Sequence, residues 1–140
     1  MTQARTLWLI FAVALLVRLA YTLGLYLGMG EDALLAKDSV LYLELGREFV
    51  AQGDFVRFYD DGRGFEPETE RMPLYVIWLA LHQWVSGISA PLFPALTQGA
   101  LDALACVFIA QTAMLLNPRL LLPAGLIAAC NPTQFIVSAI

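Results

Sequence analysis

The sequence predicts an all-α, polytopic transmembrane helical bundle of about four apolar segments, with a juxtamembrane amphipathic helix in the loop after the first. Three observations predict it. Hydrophobic residues make up 59% of the 140 residues and charged residues only 14%, against about 25% charged in a typical soluble domain. The charges are also segregated: eleven of the twelve carboxylates and five of the eight Lys and Arg lie between Glu31 and Arg71. On either side of that stretch the chain runs in long apolar segments, which call for hydrocarbon.

The first segment is Leu7 to Met29, enough helix to cross a hydrocarbon layer that needs about 20 apolar residues. Arg18 is its one charge. A signal peptide is the rival reading, since Arg5 precedes an uninterrupted apolar run from Leu7 to Val17. Apolar character resumes after Arg18, however, and no small-x-small cleavage site follows, so a retained span is expected.

Residues 31–71 form the polar loop, with Gly53, Gly62, Gly64 and Pro67 as breakers. Within it 38–52 reads as a helix: Asp38, Tyr42, Leu45 and Phe49 repeat at helical spacing on one face, while Glu44, Arg47 and Glu48 point elsewhere. Such a helix lies in the membrane interface. Residues 53–71 are expected to continue as an irregular acidic loop.

A second apolar segment covers 73–88 and opens on Pro73, a position where helices accept proline. The third, 92–116, carries Gln98, Asp102 and Gln111; the fourth, 120–140, is interrupted at Asn131-Pro132. The whole is expected to be one membrane domain. Arg5 favours an inside N-terminus and hence an extracytoplasmic 31–71 loop, although Arg119 then falls outside, against the rule that basic residues stay inside.

Several function classes are excluded. A net charge of −4 without a basic run fits neither nucleic acid nor a polybasic grip on anionic lipid. Cys106 and Cys130 both sit in apolar runs and offer no metal or disulfide spacing. His82 is the only histidine, which rules out a His-rich metal cage, and Asp60-Asp61-Gly62 is too short for a calcium loop. The loop carboxylates Asp54, Asp60, Asp61, Glu66, Glu68 and Glu70 could take a divalent cation, but a solvated acidic loop is the better account of them.

Four residues carry possible chemistry, each beside a structural explanation. Asp38 could act as a partly desolvated general base at the membrane face, or Asp38 or Ser39 could cap the following helix. Arg71, held at the boundary by Pro73, presents a rigid donor fork suited to phosphate, or it could anchor the interface with Tyr75 and Trp78. Arg18 and Asp102 are each a lone charge in an apolar span, where a charge costs roughly 2.5–3.5 kcal/mol and needs a partner. They could pair with each other or with His82, or line a polar pocket; Gln98 and Cys106 share the helical face of Asp102.

The order of these features resembles the N-terminal part of the GT-C superfamily of polytopic glycosyltransferases. The resemblance rests on an arginine-bearing first span, Asp38-x-x-x-Tyr42 on a juxtamembrane helix, the Gly53-Asp54-Phe55 exit, and Arg71-x-Pro73-Leu74-Tyr75 opening the second span. Ala129-Cys130-Asn131-Pro132 followed by Ser138 is similar to a proline-containing stretch in the same proteins. The closest likeness is to the bacterial relatives of dolichyl-phosphate-mannose protein mannosyltransferases and of lipid A aminoarabinose transferases.

The resemblance implies an enzyme of the bacterial inner membrane that moves a sugar from a polyprenyl-phosphate donor to a lipid, glycan or protein acceptor on the extracytoplasmic face, with inversion. It implies Asp38 as the catalytic residue that deprotonates the acceptor hydroxyl or helps to hold it, Tyr42, Arg71 and Tyr75 as substrate-binding residues, and Arg18 and Asp102 as supports. It names no metal ligand and leaves a divalent cation open. Members of that superfamily carry more transmembrane helices than 140 residues hold, so an N-terminal fragment, inactive alone, is expected. The alternative is a non-enzymatic membrane subunit or transporter fragment in which Arg18, His82 and Asp102 form an intramembrane cluster. A secreted domain behind a signal peptide would not need three further apolar segments.

Overall fold

The computed structural model describes residues 2–35, 38–86 and 90–131. These are mostly helical and fall into two compact units, Met1–Leu34 with Ala95–Ile140 and Leu35–Pro94. The predicted features at Pro132, Ser138, the rest of 132–140 and 87–88 lie outside the described residues.

The first unit contains α1 (Gln3–Met29), α4 (Leu92–Leu116, from Ala95 onward) and α5 (Leu121–Ala129). At 27 and 25 residues, α1 and α4 run about 40 and 37 Å at 1.5 Å per residue. Both are long and apolar enough to cross a membrane. Their outward faces remain apolar: Trp8, Leu16 and Leu27 on α1 and Phe108, Leu115 and Leu116 on α4 are exposed. Water offers such a surface nothing, whereas lipid tails match it.

Small residues draw the helices together. On α4, Ala95, Gly99, Ala103, Cys106 and Ala110 recur at helical spacing and are all buried; α1 buries Thr6, Ile10, Ala14, Arg18 and Thr22. Ile10, Ala14, Ala103, Cys106, Ala110, Leu121, Ala128 and Ala129 make one core. Close approach over small side chains is how helices associate where lipid removes the hydrophobic drive between them. Gly125 of α5 shows how tight it is, since a Cβ there would lie 2.5 Å from Ile10 Cδ1. Between α4 and α5, Asn117 accepts a hydrogen bond from the Arg119 backbone N–H (2.9 Å) and starts a short 3₁₀ turn at Pro118–Leu120.

The second unit contains α2 (Ser39–Gln52), a hairpin of β1 (Val56–Tyr59) and β2 (Gly64–Pro67), and α3 (Pro73–Ser86). The hairpin corrects the expectation of an irregular loop and of an all-α chain. The strands pair antiparallel from Val56 opposite Pro67 to Tyr59 opposite Gly64. The loop 60–63 contains Asp61-Gly62, a strong hairpin signal, and Gly62 takes φ +93°, which only glycine adopts without strain. The Phe55 carbonyl extends the pairing by accepting from Glu68 N–H at 3.0 Å.

The face of α2 also differs from expectation. The residues that α2 buries include Ser39, Leu43 and Gly46, a stripe rotated from the predicted Asp38, Tyr42, Leu45, Phe49 face, of which only Leu45 is buried. The cause is Gly46. Lacking a Cβ, it admits Gln83 of α3, whose Nε2 donates to the Leu43 carbonyl at 3.1 Å. Gly53 ends α2 in the left-handed conformation with its N–H on the Phe49 carbonyl at 3.0 Å.

In two of the four predicted apolar segments the described helix is shorter than a span, the segments running on into residues outside the description. α3 has 14 described residues and α5 has nine, about 21 and 14 Å of helix against a hydrocarbon core of about 30 Å.

Candidate functional site

Three of the candidate residues gather within the second unit. Tyr42 lies one turn into α2 and Tyr75 one turn into α3; their rings meet edge to face at a centroid separation of 5.3 Å. Arg71, two residues before α3, holds its guanidinium carbon 5.9 Å from the centre of the Tyr42 ring. It also pairs with Glu70, Nη1 to Oε2 at 3.6 Å, and its side chain keeps a quarter of its surface open to solvent (25%). Pro73 is the first residue of α3, so the proline sets the backbone turn that carries Arg71 to this position. The arrangement is a cation over an aromatic ring, with guanidinium donors that no acceptor besides Glu70 fills among the described residues.

Asp38 stands at the N-cap position of α2, one turn before Tyr42, and its carbonyl accepts from the Tyr42 N–H at 3.2 Å. The side chain is exposed and makes no cap hydrogen bond. The capping explanation of Asp38 therefore has no hydrogen bond behind it.

Arg18 and Asp102 meet in the first unit. Arg18 is 1% exposed, and its Nε donates to Asp102 Oδ2 at 2.5 Å. Nη1 donates to the carbonyls of Ala14 and Ala129, both at 3.0 Å, and Nη2 to Cys106 Sγ at 3.3 Å. The guanidinium thus ties α1 to α4 and to the C-terminal end of α5, where unpaired carbonyls and the helix dipole favour a cation. His82 belongs to the second unit and its Nδ1 lies 2.8 Å from the Trp78 carbonyl one turn back.

Two polar residues matter that sequence reasoning passed over. Gln83 sits in an apolar helix, and only its spacing from Ala80 and Val76 marks it as inward-facing. Glu68, expected among the solvated loop carboxylates, is only 7% exposed. Its Oε1 accepts from the Glu70 N–H at 2.7 Å, while Oε2 is buried without a hydrogen-bond partner among the described residues. The alternation of the hairpin through residues 64–67 was the available signal. Among the other loop carboxylates, Asp61 and Glu66 are paired with Arg63 at 2.9 and 3.1 Å. No group of three or more His, Cys, Asp or Glu is placed to hold a metal ion among the described residues.

Compared with known proteins, the chain matches no family model, no curated protein and no solved structure.

Proposed function

We propose that this chain works in a membrane-embedded, inverting glycosyltransferase that takes a sugar from a polyprenyl-phosphate donor. One observation carries the reading: Arg71 and Tyr75, from one stretch of chain, both meet Tyr42 in the first turn of the helix that Asp38 precedes. In this reading the 31–71 loop faces the extracytoplasmic side of a bacterial inner membrane, with α1 and α4 crossing it.

The chemistry assigns each group a task. An acceptor hydroxyl attacks the anomeric carbon from the side opposite the phosphate, and the carbon–oxygen bond to polyprenyl phosphate breaks with its electron pair leaving on the phosphate. Asp38 takes the hydroxyl proton. Arg71 donates to the phosphate oxygens as negative charge collects there, and the Tyr42–Tyr75 pair holds the guanidinium plane and offers an apolar wall to the sugar. Arg18 and Asp102 serve the frame.

The test separates binding from transfer. Native mass spectrometry of the detergent-solubilised protein with polyprenyl phosphate should show a one-to-one adduct that Arg71→Ala weakens and Asp38→Asn retains. In membranes containing the protein from its full reading frame, Asp38→Asn should abolish transfer of labelled sugar. Absence of an adduct, or transfer undiminished in Asp38→Asn, would reject the reading.

A second reading has its own observation. The saturation of Arg18 by Asp102, two carbonyls and Cys106 is what a small structural membrane subunit would show. An arginine does not give up its proton in proteins, so this cluster suits a fixed strut rather than a proton relay.

A further inference from the structure

The helices of the first unit have fixed directions. Arg18 of α1 lies beside Gly99 and Asp102 of α4: a Cβ on Gly99 would stand 3.4 Å from Arg18 Cβ, and Arg18 Nε donates to Asp102. Earlier in α1, Leu7, Trp8 and Phe11 share one recess with Leu104 and Val107, later in α4. Residue numbers fall along α1 as they rise along α4, so the two helices are antiparallel. α5 then runs with α1, because Gly125 packs on Ile10 while the Ala129 carbonyl meets Arg18. A chain that crosses a membrane along α1 therefore crosses back along α4.

Successive crossings alternate in direction. With α4 antiparallel to α1, the chain between them crosses an even number of times, and that stretch holds a single apolar segment, 73–88. The segment therefore does not cross. Counting it as a crossing, as its hydropathy suggests, puts Arg5 and Arg119 on opposite faces. Without it, Arg5 and the Arg119 turn between α4 and α5 both stand at the N-terminal end of α1, on one face, as basic residues near helix ends prefer.

We infer that residues 38–86 stay on one face of the membrane and that the outer stripe of α3 beds in the lipid of that face. α3 has two apolar sides. Val76, Leu79, Ala80 and Gln83 are buried, whereas Leu74, Ile77, Leu81, Trp84 and Val85 form an exposed stripe at helical spacing. α2 adds Val50, which shares an apolar recess with Ile77, Leu81 and Trp84. No Asp, Glu, Lys or Arg interrupts 73–86. An exposed surface of this kind marks a contact with lipid or with protein, and the tether selects lipid. Ser86 is six residues from Leu92, where the spanning helix α4 begins, a reach of at most about 21 Å. Trp84 is the residue type that gathers at the membrane–water boundary. Lying along the face, α3 keeps its helix ends in the wet interface; upright, its 14 residues would end inside the hydrocarbon with unpaired carbonyls. The inference rests on α1 and α4 as spans and does not require the transfer reaction proposed above.

Labelling of single added cysteines with a membrane-impermeant maleimide tests the topology, on the full chain in sealed vesicles, with Cys130→Ser as background and the buried Cys106 left in place. Asp60→Cys and Ala90→Cys should label from the same side, and Thr2→Cys and Pro118→Cys from the other. Ala90→Cys labelling from the side of Thr2→Cys would mean that α3 crosses and would overturn the inference. Depth is read with bimane on Leu81→Cys in phosphatidylcholine vesicles brominated either near the head group or at the chain ends. Bromine near the head group should quench it more, whereas bimane on Leu104→Cys, midway along α4, should show the opposite order. Quenching of the Leu81→Cys label by neither lipid, as under a second copy or another protein, or preferentially by chain-end bromine, as in a crossing, would overturn it equally.

Discussion

Arg18 Nε reaches Asp102 Oδ2 across 84 residues of sequence, joining the one charge of the 7–29 span to the one charge of α4. Each residue is the reason the other is tolerated. Breaking a buried pair from one side leaves a charge without compensation, which costs roughly 3–5 kcal/mol, whereas replacing both by apolar residues is often neutral or better. Interhelical hydrogen bonds between neutral groups in membranes average only about 0.6 kcal/mol, so the two kinds of interaction are separable by size. Asp102→Ala should lower the unfolding free energy in detergent by about 3 kcal/mol or more, and Arg18→Met with Asp102→Leu should recover most of it. An Asp102→Ala variant as stable as the parent would remove the pair from the account of stability.

Gly125 offers a test of packing whose sign is set by competing terms. Alanine in a helix interior is favoured over glycine by about 1 kcal/mol. The added methyl, however, would lie 2.5, 2.8 and 2.9 Å from three atoms of Ile10, which is fully buried. Overpacking of this kind costs about 1–3 kcal/mol, and Ile10 is stiff at χ1, so Gly125→Ala should be destabilising on balance. Combined with Ile10→Ala it should be less harmful than the sum of the two, by about 0.5 kcal/mol or more. Simple additivity in thermal unfolding would contradict the contact.

The hairpin loop carries a pH signature. The hydrogen bond from Arg63 holds the Asp61 carboxyl below the ordinary aspartate value of 3.8, and Asp61 in turn holds the Arg63 guanidinium above its ordinary value. A carboxyl depressed by folding adds stability that is fully present above its unfolded value and is lost as pH falls through the folded one. The contribution should therefore fade only below about pH 3.8. Carboxyl NMR of Asp61 should show a midpoint under that value, returning toward it in Arg63→Ala. An unchanged midpoint in that variant would assign the shift to another source.

Arg71→Lys distinguishes charge from shape in the proposed donor site. Lysine keeps the positive charge but loses the planar fork that faces Tyr42. Polyprenyl phosphate binding should fall between the parent and Arg71→Ala, with the full loss in the alanine variant about tenfold to a hundredfold, as expected for one charge-assisted hydrogen bond. Equal binding by parent and Arg71→Ala would detach Arg71 from the phosphate.

The parts of the fold that the sequence disclosed are those governed by bulk apolarity. Leu7 to Met29 and Leu92 to Leu116 lie within long observed helices because nothing but helix satisfies the backbone of such runs in hydrocarbon. Arg18 and Asp102 were legible as partners because two solitary charges in apolar spans must find something. The misplaced pieces depend on what side chains lack. Large residues at 42, 45 and 49 suggested the inner face of α2, but the helix packs where Gly46 leaves room for Gln83. Asp60-Asp61-Gly62 fails as a calcium loop, and the turn chemistry of Asp61-Gly62 is the signal that the hairpin follows. The Ala129 carbonyl that Arg18 engages is backbone, and side-chain patterns do not announce it.

The Arg18 clasp also sets a timetable. Ribosomes deliver α1 before α4 and α5, so the Asp102 carboxylate follows Arg18 by 84 residues and the Ala129 carbonyl by 111. At roughly 5–20 residues per second, α1 waits about 4–17 s for the nearer carboxylate. Through that interval its guanidinium must be hosted by the insertion machinery, by water or by lipid head groups, so α1 takes its final seat only after α4 and α5 have followed it.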